Sequence, residues 1–159
     1  MFTLIMLAIS LAAIAINIAL SKKPRTPRNI IEIILLYLLV INVGLGGLIA
    51  FYGHAFRSDE IARSIGWQPG SPFQYEIAIA NLSYGILGLL CLWLRKDFWL
   101  AAGVGTAIFG LGAAAGHIRD ILLYHNFAPN NAGLILWFGD IFMPLFMLSL
   151  LLVYRSLRE

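Results

Sequence analysis

Five long stretches of this chain are almost free of charge, and that property decides what it can fold into. They run approximately Met1–Leu20, Ile30–Phe56, Phe73–Leu94, Phe98–Tyr124 and Ala132–Tyr154. A bilayer core about 30 Å thick needs roughly 20 mostly apolar residues of helix to cross it, and each stretch meets that requirement. Lipid offers no partner to an unpaired backbone amide, so helix is the expected state of all five. The whole chain of 159 residues is 60% hydrophobic and 12% charged, about half the charge of an ordinary soluble domain. That balance excludes a soluble enzyme and a disordered protein, and names the lipid bilayer as the first partner. Cys91 is the only cysteine, which removes an intrachain disulfide and a cysteine-based metal cluster.

The turn and charge signals fall between the stretches. Pro24 and Pro27 interrupt SKKPRTPRN, Arg95-Lys96-Asp97 makes a tight reversal, and Ala128-Pro129-Asn130-Asn131 separates the last two spans. If five spans alternate, Lys22, Lys23, Arg25, Arg28, Arg95, Lys96, Arg155 and Arg158 share one side, and Arg57, Arg63 and Arg119 take the other. The positive-inside tendency makes the basic side cytoplasmic, with the N-terminus outside and the C-terminus inside. The net charge of +3 follows this placement, and no nucleic-acid partner is expected. Residues 1–20 are expected to be a retained anchor rather than a secretory signal, because the basic residues follow the apolar run and the run is long. Residues 21–29 are then a basic cytoplasmic loop. Residues 30–159 form a compact four-helix transmembrane bundle.

The loop from Arg57 to Pro72 is expected to hold a short outer interfacial helix over Asp59–Ile65, capped by Ser58, ended by Gly66 and followed by Trp67 at headgroup level. In the fourth span Gly105, Gly112 and Gly116 fall nearly on one line. Gly112-x-x-x-Gly116 suits close approach of another helix, either within the bundle or in a homo-oligomer.

Ionisable groups inside the spans carry the functional expectation. Glu32 sits at the cytoplasmic edge. His54, Glu76, His117, Asp120 and Asp140 come from four spans, and at a rise of ~1.5 Å per residue all lie roughly 4–12 Å below the outer edge. Charges in lipid are expensive, so several at one depth are expected to line one hydrated cavity. His117 and Asp120 are i, i+3 neighbours. Pro144 frees the carbonyl of Asp140, and a break in the helix is expected there. Three uses of the cluster compete. In a structural use, Arg119 pairs with Asp120, Glu76 or Asp140. In a ligand or proton site, Glu76 and Asp140 exchange protons while His54 and His117 hold the ligand or relay protons. In a metal site, these imidazoles and carboxylates bind Zn, Mn or Fe. Cys91, Met143 and Met147 are expected to pack.

Several phrases carry a resemblance: the glycine-rich end of the Ile30–Phe56 span, Ile65-Gly66-Trp67, Glu76 opening the next span, Gly85-x-x-Gly88, and the small-residue span after Arg95-Lys96. From about Ile30 to Tyr154 the chain resembles small bacterial four-helix membrane proteins of the DoxX-like type. Tyr52-Gly53-His54, Phe73-Gln74-x-Glu76 and Gly116-His117-Ile118 resemble signatures of an uncharacterised family near that group. The resemblance implies a four-helix core in the bacterial cytoplasmic (inner) membrane, with the first span as an addition, and brings in a quinone-linked redox role. The leading expectation is a cavity that binds a small polar solute or ion and passes it with protons. A membrane redox enzyme, metal- or quinone-linked, and an accessory subunit of a larger complex are the alternatives.

Overall fold

The computed structural model describes residues 2–157, and every regular element among them is helical. Six rods follow one another: α1 (Phe2–Leu20), α2 (Pro27–Phe56), α3 (Ser58–Ile65), α4 (Phe73–Leu90), α5 (Asp97–Tyr124) and α6 (Pro129–Ser156). Of these, α1, α2, α5 and α6 are long and apolar enough to cross a membrane. In α4 the polar residues Gln74, Glu76 and Asn81 dilute an 18-residue helix. Met1, the start of the first apolar stretch, and Arg158, assigned to the basic side, lie outside the described residues.

The boundaries follow local chemistry. Thr26 accepts a hydrogen bond from the Asn29 amide at 3.3 Å and Pro27 opens α2, a position where its missing N–H costs nothing. Gly66 ends α3 at φ 83°, and this left-handed turn returns the Trp67 amide to the Ala62 carbonyl at 2.8 Å. Ser58 is the first residue of α3 and makes no side-chain cap; Asp59 instead accepts from the Gly70 amide at 3.1 Å. The break expected before Pro144 is a π-helical segment, Ile135–Phe142, that includes Asp140. Pro144 lacks the donor that would close the preceding turn, and the wider winding accommodates the loss. A second π segment, Leu38–Leu45, lies within α2.

Two contacts set the relation of α2 to α4. Near the end of α2, His54 meets Gln74 at the start of α4; near the start of α2, Glu32 meets Arg95 just beyond the end of α4. The two rods therefore run antiparallel along most of their length. Their backbones nearly touch between these ends. A Cβ on Gly47 would sit 2.8 Å from Gly85 Cα and 2.8 Å from the Asn81 carbonyl oxygen, and one on Gly88 would collide with the Gly44 backbone. A Cβ on Gly112 or Gly116 would meet nothing within 4 Å, so neither mediates close approach within the bundle. α5 approaches α6 through a different face, with Gly103 against Leu151 and Gly110 against Pro144. Asn81 donates to the Ile77 carbonyl of its own helix at 2.9 Å.

The apolar core lies toward the end that carries Glu32, where Leu35, Leu39, Cys91, Trp99, Met147, Leu151 and Tyr154 pack together. Cys91 is buried there as expected, and its carbonyl accepts the Trp99 indole N–H at 2.9 Å. α1 leans on α2 through buried Ser10 and Ile14. Asn42 donates to Ser10 Oγ at 2.7 Å and Asn17 donates to the Tyr37 hydroxyl at 2.9 Å. Elsewhere the exterior is apolar: Ile16, Ile108, Leu122, Trp137 and Leu152 are each more than half exposed. In water such a surface would cost roughly 25 cal/mol per Å², whereas against lipid tails there is nothing to gain by hiding it.

Candidate functional site

The end of the bundle that carries α3 is polar inside, and its organisation begins with an asparagine. Asn126 follows the left-handed His125 (φ 52°) that terminates α5. Its amide nitrogen donates to the Ile65 carbonyl at 2.8 Å and to Asp120 Oδ2 at 2.7 Å, while its Oδ1 accepts from the Ala128 amide at 3.1 Å. One side chain thus joins α3, α5 and the connection to α6. Glycine is required at 66 twice over, for its positive φ and because a Cβ there would strike the Asn126 side chain.

Trp67 turns its ring toward the bundle interior. Its indole N–H donates to Asp120 Oδ2 at 3.0 Å, and its ring lies against the His117 imidazole with centroids 5.9 Å apart and planes 20° from parallel. Asp120 Oδ2 thereby receives two N–H donors, and its other oxygen has no hydrogen-bond partner among the described residues.

Behind Trp67, His117 is buried and its protonation pattern follows from its neighbours. Asn131, with no exposed surface, donates through Nδ2 to the Asn126 carbonyl at 2.7 Å. A backbone carbonyl only accepts, so the nitrogen of Asn131 must face it and Oδ1 must face His117 Nδ1, 2.7 Å away. Nδ1 therefore carries a proton. Nε2 faces Asp140 Oδ2 at 3.9 Å, too far for a direct hydrogen bond.

In front of Trp67 opens a cleft of about 600 Å³, lined by Trp67, Phe73, Gln74, Asp120, Tyr124 and Asn126 among others. Gln74 is buried in its wall and meets His54 Nδ1 through Oε1 at 2.6 Å.

The five residues expected to form one layer do not form one constellation. His117, Asp120 and Asp140 are joined through Trp67, Asn126 and Asn131, and His54 reaches the cleft wall through Gln74. Glu76 is exposed, and its side chain has no hydrogen bond or ion pair among the described residues. Two residues along a helix is a turn of about 200°, so with Gln74 directed inward Glu76 is carried to the outside. The same step from buried His117 places Arg119 outward. Arg119 is exposed and pairs with none of Asp120, Glu76 or Asp140. Among the described residues no three His, Cys, Asp or Glu side chains converge to hold a metal, so the donor set considered for Zn, Mn or Fe at His54, Glu76, His117, Asp120 and Asp140 does not assemble.

Trp67, Gln74, Asn126 and Asn131 were not singled out as site residues in the sequence. The available signal was the density of asparagine just after α5, where Asn126, Asn130 and Asn131 interrupt two apolar spans; Asn130 also binds Ser64 Oγ at 2.9 Å.

Fold and site together define a multi-helix protein of membrane type, with buried polar side chains gathered at one end around a small open cleft. The chain belongs to a family of unknown function, DUF6790, which matches it over residues 1–159, α1 included. No curated protein and no solved structure matches it.

Proposed function

We propose that this is a five-pass protein of the bacterial cytoplasmic membrane, with its N-terminus outside and its C-terminus in the cytoplasm, whose outward end binds a small polar solute and couples binding to a proton. α4 is the fifth crossing in this reading. At ~1.5 Å per residue it is about 27 Å long, close to the bilayer core, and it follows α2 between His54 and Glu32. Lys22, Lys23, Arg25, Arg28, Arg95, Lys96 and Arg155 then share the cytoplasmic side with the Glu32 end, which supports the orientation. A membrane-impermeant maleimide should label Arg63→Cys in intact cells and Lys23→Cys only after lysis. The reverse pattern would invert the topology.

The observation that carries the binding reading is that Asp120 lines a cleft whose wall is already fixed, with one carboxylate oxygen left without a partner among the described residues. Trp67 and Asn126 hold the carboxylate through its other oxygen, so a ligand meets an acceptor that needs little ordering. His117, stacked on Trp67, and Asp140, 3.9 Å from its Nε2, supply a place for the coupled proton in this reading. A thermal-shift screen of the purified protein against sugars, amino acids, amines and small carboxylates tests this reading. A stabilising solute should lose at least tenfold in affinity in Asp120→Asn and keep it in Arg63→Ala. No stabilisation by any class would refute the binding site. For proton coupling, proteoliposomes loaded with the stabilising solute should show flux driven by a pH gradient, lost in Asp140→Asn; flux indifferent to the gradient would remove the coupling.

A further inference from the structure

We propose that the solute taken by this cleft is an organic cation, a small molecule bearing an ammonium group. The inference rests on the binding reading above and adds the ligand's charge and chemistry.

Charge is the first argument. Asp120 is the only Asp, Glu, Lys, Arg or His in the cleft lining, so the cleft holds one carboxylate and no cation. Nor does any other described residue neutralise it. Arg119 is adjacent in sequence but lies about 100° further round α5 and is exposed, and Arg63 on α3 is likewise exposed; neither forms an ion pair among the described residues. The carboxylate is half-buried at the edge of an apolar body, where water screens it poorly and a counter-charge from outside gains most. Both donors on Asp120 come from uncharged groups and converge on Oδ2. The counter-ion position at the other oxygen is the one left open.

The walls decide what kind of cation fits. Trp67, Phe73 and Tyr124 line the same cleft as the carboxylate and give it aromatic surface. Ring faces attract cations through their negative quadrupole, and they favour weakly hydrated, carbon-bearing cations because these lose less water on entering. Trp67 is held by its hydrogen bond to Asp120 and its stacking on His117, so its ring is already fixed beside the charge. A divalent metal would need several anionic or imidazole donors at one point, and the described residues hold no such group. A volume of about 600 Å³ exceeds a bare ion and lies within the range of small organic ligands.

The full chain in dodecyl maltoside, a micelle without ammonium groups, allows a direct test by titration calorimetry. The probes are choline and 1-butylammonium, each against a neutral isostere, 3,3-dimethylbutan-1-ol and 1-butanol. At least one cation should bind saturably and at least tenfold more tightly than its isostere, and Asp120→Asn should abolish that preference. Equal binding of cation and alcohol would overturn the inference while leaving a binding cleft in place, as would binding of only neutral or anionic solutes in the wider screen. Absence of any ligand would remove both readings. The wild-type comparison stands even if Asp120→Asn does not fold. Dihexanoylphosphatidylcholine forms a further arm: tighter binding than choline assigns the ammonium group to a lipid head, and weaker binding assigns it to a free amine.

Discussion

Replacing Asn131 with alanine should be among the most damaging single changes in the polar half of the protein, and its cost can be worked from its partners. The side chain has no exposed surface, accepts from His117 Nδ1 at 2.7 Å and donates to the Asn126 carbonyl at 2.7 Å. Truncation leaves a buried imidazole N–H and a half-buried carbonyl without partners. An unsatisfied buried polar group costs about 1–3 kcal/mol; the Asn126 carbonyl can recover part of this from water in the cleft. The sum is about 2–4 kcal/mol, and removal of His117 should erase most of the imidazole share. A double-mutant cycle of Asn131→Ala with His117→Ala should therefore show a coupling of about 1–3 kcal/mol, the range of directly contacting pairs. Unfolding in mixed dodecyl maltoside and dodecyl sulfate, followed by circular dichroism, measures all four corners. Arg119→Ala, exposed and unpaired, serves as the control and should stay within about 0.5 kcal/mol of the parent. If Asn131→Ala matches that control, or the two changes simply add, the inferred network and the Nδ1-protonated form of His117 are wrong.

Two further outcomes follow in the same titration. Gly47→Ala must force α2 from α4, because its Cβ would meet the Gly85 backbone at 2.8 Å, and should cost about 1–3 kcal/mol; Gly112→Ala meets open space and should be neutral or stabilise by up to about 1 kcal/mol. A reversed order of the two would contradict the packing of α2 on α4. Glu32→Gln removes contacts with Arg95 at 2.9 Å and Lys23 at 3.7 Å, yet their side chains are 41% and 63% exposed, so the loss should stay below about 1 kcal/mol and shrink with added salt.

The interior of the site was legible to different degrees. Depth along each span was readable, because helical rise is uniform, and His54, His117, Asp120 and Asp140 do lie toward the α3 end. Facing was harder. Gln74 and Glu76 differ by two residues and point to opposite sides, and the residue named from sequence was the ionisable one. Ionisability marks a side chain as expensive in lipid only if it stays there; an acid near a helix end can turn away from the bundle interior, and Glu76 is exposed. The amides were overlooked for the converse reason. Asn126 and Asn131 carry no charge, so nothing in composition distinguishes a loop asparagine facing solvent from one that joins three segments.

Taken alone, the order of residues determined that this chain is built from long apolar helices, where the connections fall, and which end of each helix carries polar groups. Those properties depend on local hydrogen bonding and on transfer of side chains out of water, both read along one dimension. Which glycines touch, which acid enters the cleft and which stays outside were decided only by tertiary structure. In each case the choice is a rotation of one rod about its axis, set by the neighbour it packs against: Gly85 opposite Gly47, and Gln74 rather than Glu76 turned to His54.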